Sequence, residues 1–434
     1  MKAHALFFGL AVLLAQALSA ADSTPWHWQE ARVPDLGFDL DAAQIVRVTS
    51  LATKGKGTLR DALKVPGPRI IVFEVGGVID LDLQGIDTQE SQVIIAGQTA
   101  PSPGITLIRG GLRVRSSQAL IQHIRVRPGD AGQPKAQGYE PDGMTTSGGP
   151  VDVWFDHCSC TWAIDENLSA TTFKSPTGEP THRVFLRDCL IAEGLDHATH
   201  HKVRHSKGTL IDAGTQQVAI VNCLYASNVE RNPVIHPGCS AVVVNTVIAN
   251  PGQRAIHSSR TDDGKNATLP NARISIVGNV VLLGRATKKE AAVFEGGADG
   301  FFKDNEGYNW RGEPIAELRV PFETLKEPPL WPEGLVAKSP TAALWHVARF
   351  VGARPAERDA IDRRIVDGVL TGNGKIIDSQ DDVGGYPKIE PVTRKLEVPE
   401  KGRRDWLEKL AREVELGPEE VKPAAPEETK KEAS

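Results

Sequence analysis

The sequence predicts an all-β fold, a right-handed parallel β-helix (a solenoid) with a loop-rich, partly helical C-terminal extension. Between residues 90 and 285, six similar segments each place a short run rich in Val and Ile before a polar residue and a second apolar run. The polar residues recur at intervals of 23 to 34 residues and are His123, His157, Asp188, Asn222, Asn245 and Asn279. Units this short cannot bury an apolar face alone, so we expect them to stack and share one core.

Turn-forming residues argue against helical repeats, which are the competing interpretation. The apolar runs are too short for helices, and Gly97, Gly148, Gly214 and Gly252 interrupt any helical period. In a β-helix the loops between strands can lengthen freely, so long insertions are candidate walls of a binding cleft. We expect the β-helix to occupy residues 22–310.

The N-terminus has the pattern of a cleaved secretory signal at residues 1–21. Lys2 precedes an apolar run over 5–18, and small residues follow at 19–21. An uncleaved membrane anchor is the alternative, but the run is shorter than the roughly 20 residues of a spanning helix. We expect a secreted or periplasmic protein with no membrane attachment after signal removal.

The C-terminal part changes composition. Residues 311–416 are expected to form an extension of loops and two helices, the loops over 311–350 and the helices at 355–370 and 403–415, where apolar residues recur at helical spacing. Residues 417–434 are charged and rich in Pro and Ala, which is typical of a disordered tail.

Overall composition excludes few functions. The chain has 434 residues and a formal net charge of −5, which gives no case for nucleic-acid binding, and we expect a monomer. The five cysteines are expected to be small buried thiols, because their number is odd and they lie at core-like positions, namely Cys158, Cys160, Cys189, Cys223 and Cys239.

Acidic and basic residues occur on consecutive predicted coils, where stacking would bring them together. Asp142 and the pair Asp165 and Glu166 come first, and Lys207 and Arg231 follow. Carboxylates on neighbouring coils repel unless a cation lies among them, and Ca²⁺ prefers such oxygen ligands. Each residue also has an ordinary interpretation as a solvated loop residue, a salt-bridge partner or, for Asp142 before Gly143, a turn former.

Four segments resemble successive motifs of the pectate lyases of polysaccharide lyase family 1. They begin at Asp142 (Asp-Gly-Met), Val153 (Val-Trp-Phe-Asp-His-Cys), His205 (His-Ser-Lys-Gly-Thr-Leu-Ile) and Arg231 (Arg-Asn-Pro), in the same order as in the family. The resemblance runs from about residue 45 to 310. It implies a calcium-dependent enzyme that cleaves pectate, polygalacturonate or a related uronate polymer by β-elimination.

The same resemblance implies roles for individual residues. Arg231 would be the base that takes the C5 proton of a galacturonate, and Lys207 would hold the substrate carboxylate. His205 and His236 would contact substrate, although His236 stands where the family has a second arginine.

The implied calcium ligands are four residues. Glu140 and Asp142 match the first acidic pair of the family, and Asp165 matches the first acid of the second pair. Ser169 stands at the position of the last acid, so we expect a calcium site that is either weaker or completed by substrate carboxylates.

Several interpretations stay open. His157 occupies the recurring polar position and is interpreted as structural, whereas the His-rich loop with His200 and His201 either binds a transition metal or lines the cleft. A glycoside hydrolase on this fold would use two of the carboxylates around the bond. A carbohydrate-binding protein without turnover is the third possibility.

Overall fold

The structure, a computed structural model, describes residues 25–259, 269–285, 287–288 and 290–417. The predicted signal peptide at 1–21 and the predicted tail from residue 418 onward lie outside this part of the chain. Within it, no helix combines the length and apolar character needed to cross a bilayer.

Sheet A, the first long sheet, contains ten parallel strands, each paired with the strand of the next coil. Its strands are Gln44–Val48, Arg69–Phe73, Val93–Ala96, Ala119–Gln122, Val151–Asp156, His182–Arg187, Gln216–Val221, Ser240–Val244, Arg273–Val277 and Asp299–Lys303. Such pairing between successive repeats is the parallel β-helix that the sequence predicts.

Sheet B, the second long sheet, runs alongside. It consists of nine parallel strands and one antiparallel edge strand, Val392–Thr393. The parallel strands are Val75–Asp80, Ile105–Ile108, Ile124–Arg127, Ser159–Thr161, Leu190–Ala192, Leu224–Ala226, Val247–Ala249, Val280–Leu282 and Glu306–Tyr308.

Two short parallel sheets form the third face. Sheet C contains Ile86–Thr88, Leu112–Val114, Met144–Thr146 and Leu168–Ser169, and sheet D contains Leu210–Ile211, Val234–Ile235, Ile256–Ser258 and Phe294–Glu295. Single β-bridges such as Ala170 to Ile211 continue sheet C into sheet D.

The inside of the coil is a stack of apolar columns. The central column of sheet A consists of Ile71, Ile95, Ile121, Phe155, Leu186, Ile220, Val243 and Ile276. Each member is buried. The five cysteines are buried free thiols, as predicted.

The recurring polar residues explain how each coil turns between sheets A and B. His123, His157, Asp188, Asn222 and Asn245 all have positive φ, between 49° and 55°. This left-handed conformation is tolerated by Asn, Asp and His better than by most residues. The polar side chain therefore belongs to the turn.

The sixth predicted position is wrong by one residue. Val244 pairs with Val277, so Gly278 with φ of 67° stands beneath Asn245, and Asn279 follows it. Glycine meets the same backbone requirement without a side chain. Asn279 instead donates from Nδ2 to the Val243 carbonyl.

The N-terminal and C-terminal segments of the described chain cover the outer face of sheet A. Trp28 packs against Trp154 and Phe185 on sheet A, with ring centroids 5.6 Å and 6.3 Å away, and Leu407 joins the same cluster. Burial on both faces explains why these strands are apolar runs without alternation.

In the described residues, four α-helices accompany the β-helix: α1 (Leu59–Ala62), α2 (Pro340–Phe350), α3 (Ala360–Thr371) and α4 (Arg403–Leu416). The same part of the chain has 3-10 turns at Gly97–Thr99, Pro355–Glu357 and Gln380–Val383. Helices α2 and α3 cover sheet B, where Val347, Ile361 and Ile365 join its outer cluster.

The predictions for the C-terminal extension are partly wrong. Helix α4 matches the predicted 403–415, and α3 begins at Ala360 because Asp359 caps it, five residues after the predicted start. Residues 340–350, predicted as loop, form α2, which Ser339 caps and Pro340 starts. Proline at the first helical position favours a helix, so the prolines here were misleading.

Candidate active site

The candidate site lies at the seam between sheets C and D. Parallel β-bridges join Glu166 to Lys207 and Lys207 to Glu230. The pairing of Met144 with Leu168 places Asp142, two residues earlier, opposite Glu166. Four consecutive coils therefore place Asp142, Glu166, Lys207 and Glu230 in one column along the axis of the solenoid.

Arg231 lies beside this column. Its side chain is 23% exposed, and its Nη1 forms an ion pair with Glu166 Oε1. The residue has φ of 62°, and its carbonyl accepts a hydrogen bond from the Thr209 N–H at 2.6 Å. A Cβ on Gly208 would clash with that carbonyl, so a glycine after Lys207 lets Arg231 approach.

Burial and the neighbouring carboxylates have opposite effects on the pKa of the Arg231 guanidinium. Burial lowers the pKa of its guanidinium, whereas the carboxylates of Asp165 and Asp142 raise it, and the net result is a pKa below the ordinary value. The ion pair with Glu166 favours the charged form. A role as base therefore requires that this ion pair be broken.

Lys207 has a partner that the sequence analysis did not single out. Its ammonium is bonded to Glu230 Oε1, and its side chain is 10% exposed. Burial raises the pKa of Glu230, but Lys207 outweighs it and the pKa lies below the ordinary value. Burial is therefore what favours a neutral Arg231, because the charge of Lys207 is paired with Glu230.

Asp142 and Asp165 lie close enough to influence each other. Burial and the charge of Asp165 raise the pKa of Asp142 to about 8. Burial also raises the pKa of Asp165, but the hydrogen bond from His205 Nε2, at 2.6 Å, and neighbouring positive charges bring it below the ordinary value. A cation between the two carboxylates would relieve this repulsion.

The other predicted metal ligands have different surroundings. The Glu140 carboxylate accepts hydrogen bonds from His201, including the backbone N–H at 2.7 Å. Ser169 is buried, and its Oγ accepts from the Leu210 N–H at 3.0 Å. Asp142 Oδ1 accepts a hydrogen bond from the Glu166 N–H at 3.3 Å. Among the four predicted ligands, Asp142 and Asp165 are the pair whose mutual repulsion favours a cation, because Glu140 is engaged by His201 and Ser169 carries no charge.

The two histidines with predicted substrate contacts lie on different sides of the strands of sheet D: His205 precedes the strand Leu210–Ile211, and His236 follows the strand Val234–Ile235. His205 is buried, hydrogen-bonded to Asp165 and stacked on His200, with ring centroids 3.7 Å apart. His236 follows the strand Val234–Ile235 and faces Asp212, with Nδ1 3.6 Å from Oδ1. His205 therefore joins the carboxylate cluster directly.

A groove opens beside the acids. It has a volume of about 250 Å³ and is lined in part by Arg113, Tyr139, Glu140 and Asp142. This space extends the site toward the N-terminal coils of sheet C.

Sequence reasoning missed Glu230 and assigned no definite role to Glu166 and His200. Glu230, directly before Arg231, could have been found from its position in that motif, and Glu166 was considered only as an acid. His200 was placed in a loop of open function, whereas the structure stacks it between His201 and His205.

His157 lies elsewhere, at the turn from sheet A to sheet B, buried and hydrogen-bonded to Asp156 at 2.8 Å. Its ring stacks on His123, with centroids 5.2 Å apart. These contacts support the structural interpretation of His157.

Comparison with known proteins yields consistent relatives. A probable pectate lyase C of Aspergillus flavus is 29% identical over 366 residues, covering 81% of this chain and 78% of the relative. That of Neosartorya fischeri is 27% identical over 401 residues, covering 86% and 85%. The chain is similar in sequence to proteins named probable pectate lyase C. The resemblance seen in the motifs is thereby confirmed, and the predicted enzyme class, a polysaccharide lyase, is supported.

Solved structures agree on the fold of this pectate lyase relative. The cedar pollen allergen jun a 1 superposes with a TM-score of 0.51 at 15% identity, covering 70% of this chain and 88% of that one. A pectate lyase studied for substrate specificity and anti β-elimination gives 0.50 at 12% identity, covering 73% and 92%. The right-handed parallel β-helix is confirmed. No family model matches the sequence.

Proposed function

We propose that the protein is a polysaccharide lyase that cleaves pectate or a related uronate polymer by β-elimination. The observation that carries the proposal is the seam between sheets C and D, where Arg231, Lys207 and the acids of three coils meet. The pectate lyases among its relatives support the substrate class.

Elimination needs a base at the carbon beside the substrate carboxylate. Arg231, in its neutral form, would take the C5 proton, the C5 electrons would form the C4–C5 double bond, and the bond from C4 to the glycosidic oxygen would break. The released chain end then takes up a proton to become a hydroxyl. Burial favours the neutral guanidine, and departure of Glu166 from Arg231 is required first.

Lys207 and calcium would stabilise the negative charge that develops on the substrate carboxylate during proton removal. Positive groups fixed near this carboxylate stabilise the transition state. Lys207 lies one coil from Arg231, although Glu230 holds its ammonium in the absence of substrate. Ca²⁺ held by Asp142 and Asp165 would supply further positive charge near the substrate carboxylate.

The proposed setting is outside the cytoplasm, on the basis of the signal pattern at residues 1–21. An extracellular or periplasmic location would give the enzyme access to polymeric substrate. Mass spectrometry of the N-terminus after expression with the native leader tests this directly, because an uncleaved Met1 contradicts it.

The direct test is incubation of the purified protein with polygalacturonate, with and without Ca²⁺, while absorbance from unsaturated uronide ends is followed. We expect a signal that a chelator abolishes. Saturated reducing ends that resist chelation would instead establish hydrolysis, and silence across several uronate polymers would refute the proposal.

Two variants test whether Arg231 is the catalytic base. Arg231→Ala should abolish elimination, because the variant has no side chain that can take the C5 proton; urea unfolding separates this from the stability cost of leaving Glu166 without its partner. Arg183→Ala is the matched control, since Arg183 forms a comparable ion pair with Asp152, 2.5 Å from Nε to Oδ1, on sheet A. Turnover by Arg231→Ala equal to that of Arg183→Ala removes Arg231 from the mechanism.

A further inference from the structure

Among the described residues that line the groove of about 250 Å³, Arg113 alone has a lysine or arginine side chain. It lies in the middle of the strand Leu112–Val114 of sheet C. The two residues on either side of it are buried in the core, so the side chain of Arg113 points to the open face of the sheet. Gly85 and Gly111 line the groove beside it and leave room for a sugar ring to approach.

The guanidinium of Arg113 is weakly engaged by the protein. Its Nη1 lies 3.6 Å from Asp87 Oδ2, which is beyond hydrogen-bond distance, and its side chain is 46% exposed. Arg115 Nε is closer to the same oxygen of Asp87, at 3.2 Å. Within the described residues, the Arg113 side chain donates no hydrogen bond to the protein. Its planar set of N–H donors is therefore available to a carboxylate of a ligand.

The acidic residues of the groove have partners of their own. Asp87 has its own nearer arginine, and the Glu140 carboxylate accepts hydrogen bonds from His201. Asp142 is a ligand of the proposed calcium ion, whose charge would offset that of the carboxylate. Arg113 is thus the charge that an anionic ligand meets on this floor of the groove.

The groove continues into the seam that contains Arg231. Strand pairing leads outward from Arg113, one coil at a time, through Thr145, Ser169, Leu210 and Val234. Val234 belongs to the coil of Arg231. Four coil spacings of about 4.8 Å separate the two arginines, about 19 Å along the axis of the solenoid. A polymer that follows this axis passes both, with several sugar units between them.

We propose that Arg113 binds a free carboxylate of the uronate polymer at a subsite remote from the bond that is cleaved. This inference rests on the proposed function, because it takes the polymer to lie along the seam. A guanidinium binds a carboxylate through two parallel N–H donors and a full opposite charge, and a methyl ester lacks that charge. Arg113 would therefore make the enzyme prefer long chains that are not esterified.

Steady-state kinetics of Arg113→Gln at saturating Ca²⁺ test the subsite. We expect the KM for polygalacturonate to rise about three- to tenfold with kcat unchanged, because a partly exposed ion pair is screened and acts equally on the ground state and the transition state. Arg115→Gln is the matched control, since it makes the same change in charge two residues away and outside the groove lining. A KM for polygalacturonate equal to that of wild type in Arg113→Gln overturns the proposal.

Chain length separates a substrate contact from a structural role. Trigalacturonate held at Arg231 is too short to reach Arg113, so its affinity, measured as inhibition of polymer cleavage, should be the same in Arg113→Gln and wild type. An equal loss of affinity for the trimer and the polymer would show that the substitution disturbs the whole cleft, and would refute the subsite.

Calcium dependence separates the subsite from an effect on the metal ligands. Burial and Asp165 raise the pKa of Asp142, and the positive charge of Arg113 partly offsets them. Loss of that charge removes a repulsion on Ca²⁺, so Arg113→Gln should need no more calcium than wild type for half-maximal activity. A higher calcium requirement would place the effect at Asp142 and contradict the proposal.

Binding without turnover distinguishes this inference from failure of the lyase proposal. In the Arg231→Ala background, calorimetry should show that Arg113→Gln weakens polygalacturonate about three- to tenfold and leaves the binding of a fully methyl-esterified polymer unchanged. This result together with no turnover by wild type would keep the subsite and refute the lyase. Turnover by wild type with a polymer affinity independent of Arg113 would refute the subsite alone, as would an equal loss of affinity for the esterified polymer. Absence of binding to either polymer would refute both.

Discussion

Alkaline pH should destabilise the protein through one buried imidazole, that of His157. Burial alone would lower the pKa of His157, but the carboxylates of Glu415, Asp156 and Asp188 outweigh it and raise the pKa to about 9. Glu415 comes from helix α4, which lies against the turns of the solenoid with its Oε1 3.8 Å from His157 Nδ1. The charged imidazole therefore helps to hold the C-terminal helix in place.

The direction and size of the pH effect on the unfolding free energy follow from the linkage between proton binding and folding. The folded pKa of His157 lies above the value of about 6.5 in an unfolded chain, so the folded state holds an extra proton between these values. The stabilisation is complete below pH of about 6.5 and is lost as pH rises through about 9. The difference corresponds to about 3 kcal/mol of unfolding free energy.

The perturbation is His157→Asn, studied with wild type by urea unfolding at a pH of about 6 and again near 9.5. Asparagine suits the turn, because Asn222 and Asn245 occupy the same position in later coils with positive φ. Asp156 keeps its ion pair with Arg187, 2.8 Å from Nε to Oδ1. We expect wild type to lose about 3 kcal/mol more than the variant over this range.

Controls separate this residue from general alkaline effects. His27→Asn removes an exposed histidine and should keep the wild-type slope. Equal slopes for wild type and His157→Asn would refute the argument, as would a titration of His157 by nuclear magnetic resonance at the ordinary histidine pKa.

The stacked partner, His123, should act in the opposite direction. Burial and the charge of His157 lower the pKa of His123 to about 3. Its neutral form stabilises the fold above the unfolded pKa, and this contribution is lost as pH falls toward about 3. Between a pH of about 3 and about 9, His157 is charged and His123 is neutral, so the two rings together stabilise the fold most within this range.

Three further predictions concern the site and its support. Asp142→Ala should raise the calcium concentration needed for half-maximal elimination by about tenfold, and an unchanged calcium titration would remove Asp142 from the ligands. Glu166→Gln should shift the pH–rate profile to lower pH by about one unit, because Arg231 loses the anion that favours its charged form; the same profile in wild type and variant contradicts this. Leu407→Ala should cost about 2–5 kcal/mol of unfolding free energy, since this side chain of helix α4 is fully buried in the cluster on the outer face of sheet A; a cost below about 1 kcal/mol in urea unfolding would show that the helix docks by other contacts.

The repeat pattern was sufficient to predict the solenoid, because pairing between coils depends on short apolar runs at similar spacing. It also placed Asp142, Asp165, Lys207 and Arg231 on successive coils. The single misplaced turn position, Asn279 for Gly278, arose because side-chain chemistry was used where backbone conformation decides.

The pairing of charges could not be predicted from the repeats. Glu230 holds Lys207, Glu166 holds Arg231, and His201 holds Glu140, because inter-strand loops of different length turn toward the same seam. Loop paths depend on packing between segments far apart in sequence, which no local pattern records.

The sequence by itself determined the solenoid, the order of its coils and the residue types available at its third face, since these follow from local apolar periodicity and motif order. Tertiary structure alone decided which charges neutralise one another and that helix α4 brings Glu415 to the histidine stack, more than 250 residues along the chain from His157. Those contacts join distant segments, and their energies depend on distance and burial that only the folded chain defines.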